Sequence, residues 1–95
     1  MKTLEGRFNE LVAKIKSLPA DGPAQPSSAL KLNLYGLFRQ ARDGDAPDQA
    51  PGGFNFIARF KRDAWLANKG MAKEEAMRRY IAATEAFARE RGVDI

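Results

Sequence analysis

Apolar residues along this chain recur at helical spacing in four stretches, separated by segments rich in Pro and Gly. Leu4, Phe8, Leu11, Val12 and Ile15 predict a first helix over about residues 3–18. The segment "PADGPAQPSS" ends it, because Pro19, Pro23 and Pro26 cannot continue a helix and Gly22 invites a turn. Ser27 follows Pro26 as the natural cap of a second helix, from Ser28 to about Arg42, whose core face carries Leu30, Leu34, Leu37 and Ala41. Residues 43–53, "DGDAPDQAPGG", read as a loop longer than helix bundles usually need. The third helix is expected over about residues 55–68, with Ile57, Phe60, Ala64 and Ala67 on its apolar side and Gly70 as its stop. The fourth runs from about Lys73 to Arg91, with Met77, Tyr80, Ile81, Thr84, Phe87 and Ala88 in one stripe and Gly92 beyond its end. No convincing strand is visible, so the expected fold class is all-α: a four-helix bundle forming one domain over residues 1–95.

The aromatic residues do not all fit these core stripes. On the second helix Tyr35 and Phe38 lie on a flank, about 60° apart, with Arg39 about 40° beyond Tyr35. On the third, Lys61 and Trp65 are one turn apart and off the apolar side; on the fourth, Tyr80 stands at the edge of its stripe. Half-buried rings beside Arg39 and Lys61 suit a planar aromatic group that carries phosphates. The same residue types also cap a core beneath solvated cations, and taken singly they leave both readings open.

Net charge changes the picture only in part. A formal +4 with a pI near 9.7 favours anionic partners without choosing among nucleic acid, an anionic membrane and a small phosphorylated ligand. Acidic residues interleave with basic ones in "AKEEAMRRYIAATEAFARERG", and no helix is a run of exposed cations and amides, which argues against a groove reader. The first helix is amphipathic and carries Lys14 and Lys16, but its apolar face is needed for the core, and no apolar run approaches membrane-spanning length. Without Cys or His, the commonest nucleophile–base pairs and metal ligands are missing, and Asp43, Asp45 and Asp48 lack the spacing of a calcium loop. An enzyme is therefore not expected, nor is a catalytic residue, a metal or a cofactor.

The order of these residues carries a resemblance. "PSSALKLNLYGLFRQARDGDAP" followed by "PGGFNFIARFKRDAWLANKGMAKEEAMRRYI" is similar to the acyl-CoA-binding protein family. That family reads approximately as a Pro, a Tyr nine residues on, and Tyr-Gly-Leu-Tyr-Lys-Gln-Ala around that Tyr. A Gly-Asp loop, a Pro-Gly, a Lys shortly before Ala-Trp, Lys-Gly-Met/Thr-Ser-Lys-Glu-Glu-Ala-Met and a Tyr-Ile pair follow. The likeness runs from residue 26 to residue 81 without a gap, and "FNELVAKIKSL" fits the first helix once a longer first loop is allowed.

The resemblance implies a four-helix bundle that holds one long-chain acyl-CoA and carries or buffers it without catalysis. Carried over by position, Tyr35 contacts the nucleotide, Phe38 stacks on or flanks the adenine, and Arg39 pairs with phosphate. Lys61 pairs with the ribose 3′-phosphate, Tyr80 closes over adenine and ribose, and Lys16 lies near the head group. The implied partner is a fatty acyl-CoA, with no nucleic acid and no stable membrane insertion, and the expected state is a cytoplasmic monomer. Departures from the pattern are Phe38 for Tyr, Arg39 for Lys, Ile57 for Lys, Phe60 for a small residue and Arg62 for an aromatic one. Phe60 and Arg62 are expected to reshape the floor under the acyl chain. Ala72 for Ser deletes a helix cap.

Overall fold

The computed structural model describes residues 2–19, 22, 24–48 and 55–95. Four helices occupy them: α1 (Leu4–Lys16), α2 (Ser28–Asp43), α3 (Phe56–Leu66) and α4 (Lys73–Arg91). No strand occurs among the described residues. The caps explain the boundaries. Thr3 accepts from the Gly6 N–H at the start of α1, and Ser27 accepts from the Leu30 N–H at the start of α2. Asn55, expected inside the third helix, is instead its cap, and its Oδ1 accepts from Ile57 and Ala58. Gly92 ends α4 in the left-handed region, φ +67°. Gly70 does not end α3 directly. The helix stops at Leu66, and tight turns run on to Gly70, whose φ of +87° closes them.

α2 packs on both α3 and α4, and α1 lies against α4. The chain therefore spreads sideways, with a thickness of only 17 Å against 38 and 33 Å in the other directions. Phe8 and Leu11 of α1, Leu34, Leu37 and Ala41 of α2, and Ala76 and Tyr80 of α4 form the core. Arg7 bridges Glu10 and Glu85 across the α1–α4 seam, which holds its guanidinium pKa above the ordinary value.

The α2–α3 contact is closer than side chains allow. A Cβ on Gly36 would fall 2.3 Å from the Ala64 carbonyl oxygen, so glycine is what lets the two backbones meet. α3 is consequently turned differently from the periodicity reading. Trp65, read as lying off the inward face, is 8% exposed, whereas Ile57 and Phe60, read as core, are 68% and 57% exposed. The reason is polar as well as apolar: the Trp65 indole N–H donates to the Gly44 carbonyl at 2.7 Å, a partner that helical spacing does not reveal.

The long α2–α3 connection is tied down where it is described. Asp45 accepts from the Gln40 amide and the Gly70 N–H, which hold its carboxyl below the usual carboxylate range. Arg62 donates to the carbonyls of Pro47 and Asp48. Arg62 thus secures the loop. The remainder of the predicted loop lies outside the described residues.

Gly36→Ala is expected to lower stability by about 1–2 kcal/mol in urea unfolding, the backbone clash outweighing the gain in helix propensity. Ala72, the α4 cap residue, makes no side-chain hydrogen bond. Ala72→Ser should therefore raise stability by about 1 kcal/mol in the same assay.

Candidate functional site

Because α1 and α2 both rest on α4, a cleft opens between them with α4 as its floor. Val12, Ile15 and Lys16 form one wall, Lys31, Tyr35 and Phe38 the other, and Leu34 and Tyr80 lie beneath. Its volume is about 330 Å³, and among the described residues no carboxylate lines it. Two further hollows, beside Arg42 and Lys73 and beside Arg7 and Arg89, carry cations together with acidic side chains. A second groove of about 350 Å³ opens between α2 and α3, with Leu32, Ile57 and Phe60 as its apolar surface. Lys31 borders both hollows, and Lys61 borders the second.

The structure brings together five of the six residues singled out in the sequence. Lys16, Tyr35, Phe38 and Tyr80 line the cleft, and the Lys61 ammonium sits 5.1 Å from the centre of the Tyr35 ring. The Lys16 ammonium is 5.4 Å from the centre of Phe38. Tyr80 is deeper than its expected place at a stripe edge, at 3% exposure. Its ring meets Phe8 edge-on at 5.1 Å, so it belongs to the core as well as to the cleft floor. Phe38 also stacks on Phe8, at 6.3 Å.

Arg39 is placed apart. Its guanidinium lies 4.5 Å from the centre of the Trp65 ring, on the α3 side, and its Nε is 3.2 Å from Asp43 Oδ2. That pair lacks hydrogen-bond alignment, which leaves the buried Nε–H without a hydrogen-bond acceptor.

Two cations were missed. Arg42 stands 5.3 Å from the centre of Phe38, and Lys31 flanks Tyr35 on the cleft wall. The signal was available in the spacing. Lys31, Tyr35, Phe38 and Arg42 follow one another at steps of four, three and four within an arc of about 60°, and along the helix axis a cation stands at each end with two rings between. The strip in "LYGLFRQ" thus terminates on Arg42 and Lys31, not on the adjacent Arg39. Such a wall offers ring faces to a planar base and ammonium or guanidinium groups to phosphate.

Burial pushes the Tyr80 hydroxyl up to about 12 from 10. The folded state then keeps the phenol neutral at a pH where the unfolded chain ionises. The contribution is fully present below about pH 10 and is lost as pH rises through about 12. Urea unfolding at pH 9 and pH 12 should show Tyr80→Phe losing less stability across that interval than the parent, by on the order of 2 kcal/mol.

Comparison with known proteins places this arrangement. A family model described as "Acyl CoA binding protein" matches residues 5–84. The acyl-CoA-binding protein of Gossypium hirsutum is 45% identical over 78 residues, covering 82% of this chain and 83% of that protein. Acyl-CoA-binding protein homolog 3 of Caenorhabditis elegans is 41% identical over 81 residues, 85% of this chain and 70% of that one. Acyl-CoA-binding domain-containing protein 5 of Rattus norvegicus is 40% identical, but the matched region is only 15% of that longer protein. The crystal structure of Acyl-CoA-Binding Protein 2 from Oryza sativa superposes with a TM-score of 0.83 at 39% identity, covering 98% of this chain and 99% of that one. With four helices in that arrangement and a match along most of its length, the chain belongs to the acyl-CoA-binding protein family.

Proposed function

We propose that this protein binds medium- to long-chain fatty acyl-CoA esters and carries or buffers them in the cytoplasm, as a monomer and without catalysing their turnover. One observation carries the reading: a cleft lined by rings and cations, with no carboxylate among its described lining residues, adjoins an apolar groove across Lys31. An acyl-CoA has the matching parts. Its adenine is planar, its phosphates are anionic and its tail is apolar.

In this reading the adenine enters the cleft against Phe38 and Tyr35, over the floor made by Tyr80 and Leu34. Lys16 and Arg42 flank the base and attract phosphate oxygens. Lys61, poised over Tyr35, meets the ribose 3′-phosphate, and Lys31 stands where the head group passes from one hollow to the other. Arg39 joins by exchanging its poorly aligned Asp43 carboxylate for a phosphate, a change that the surface position of that pair makes inexpensive. The tail lies along Leu32, Ile57 and Phe60, two of which would otherwise face water.

Magnitudes divide the labour. Each methylene withdrawn from water contributes about 0.8 kcal/mol, so a tail of about 15 methylenes supplies at most roughly 12 kcal/mol. Association and ordering costs offset much of it. The head group therefore selects CoA, while the tail provides most of the affinity.

Calorimetric titration should show palmitoyl-CoA binding at least about a hundredfold more tightly than CoA, with free palmitate weaker still for want of an anchor. Equal affinities for CoA and palmitoyl-CoA would refute this division. Tyr35→Ala, Lys61→Ala and Arg42→Ala should each weaken palmitoyl-CoA by about tenfold while thermal unfolding shows the bundle intact. Unchanged affinity in all three would leave these residues with a structural role alone.

A further inference from the structure

Phe56, Ile57 and Phe60 are 59%, 68% and 57% exposed, the large apolar side chains that the described surface leaves most open to water. They sit on the first turns of α3 and span an arc of about 100°. Arg59 lies about 60° before Phe56 on the helix wheel and Lys61 about 40° beyond Ile57, so cations border the apolar arc on both sides. Residues 55–69 hold four cations, Arg59, Lys61, Arg62 and Lys69, against one acid, Asp63. Lys31 adds another from the far lip of the α2–α3 groove.

An apolar arc between cations suits a surface that is oily inside and anionic outside. A second copy of this chain fits less well, since pairing these faces would bring together two like-charged borders on molecules that each carry a formal +4. A tail held in the groove reaches Ile57 and Phe60 from one side and does not account for Phe56. We propose that this face of α3 docks the protein on anionic membranes: Phe56, Ile57 and Phe60 enter the headgroup boundary, and Arg59, Lys61 and Lys31 meet the lipid phosphates and carboxylates. It rests on the exposure and charge of α3, not on the identity of the ligand in the cleft. The helix concerned is α3, not the amphipathic α1, whose Phe8 and Leu11 are in the core.

Sedimentation with phosphatidylcholine vesicles, alone or with three-tenths phosphatidylserine, tests this in the absence of any acyl-CoA. Expected is about tenfold stronger partitioning onto the serine-containing vesicles, falling as salt rises. The double substitution Ile57→Ser/Phe60→Ser, which leaves net charge unchanged, should reduce that partitioning by about tenfold, with circular dichroism confirming retained helix. Arg59→Glu should reduce it as well. Failure to bind the anionic vesicles, or binding indifferent to the double substitution, overturns the proposal. Sedimentation velocity showing a dimer that the double substitution dissociates would also overturn it, assigning the face to a second copy.

Discussion

The meeting of two backbones at Gly36 governs the rest of the molecule. Where α2 can approach the Ala64 carbonyl without an intervening side chain, α3 is drawn close enough for Trp65 to go under the loop and for Lys61 to reach Tyr35. The indole is then held at both ends: its N–H donates to Gly44, and its ring carries the Arg39 guanidinium. A larger residue at position 36 would push α3 outward, and the cation over Tyr35 would move with it. One missing methyl group thus couples interhelical distance to the electrostatics of the site.

The cleft follows from which helices touch. α1 and α2 meet α4 more than each other, so the space between them is a hollow with a ready floor. Along α2 a cation, two rings and a cation follow one another, the first three lining the cleft and Arg42 beside Phe38, with Lys16 over that ring from α1. Rings and cations here attract one another, which favours these side-chain positions. Carboxylates along the lining would have bound those cations, and none is among the described lining residues.

Much of the fold was legible in the residues, and the failures are instructive. α4 matched its expected bounds because a long apolar stripe met an unambiguous stop at Gly92. Ser27 was readable as a cap because its hydroxyl has a local task. The facing of α3 differs from its pattern because four apolar residues at helical spacing look like a core face wherever they occur, while Trp65 is drawn inward by a carbonyl far along the chain. Periodicity counts apolar positions and cannot see such partners. The loop contacts of Arg62 were hidden for the same reason, since its carbonyl partners follow no pattern. Lys31 and Arg42 could have been found from their spacing around the two rings. Arg39 stands one turn beyond Tyr35 and at the position of the family's lysine, but on the helix it points toward α3 and Trp65.

Leu34 and Tyr80 belong at once to the hydrophobic interior and to the surface on which a ligand would rest. Recognition and stability are consequently written in the same atoms. A substitution that repacks the interior reshapes the seat, and one that enlarges the seat hollows the interior. New specificities in such a scaffold are therefore most accessible along its rims, where side chains can be exchanged one at a time, and least accessible at its base.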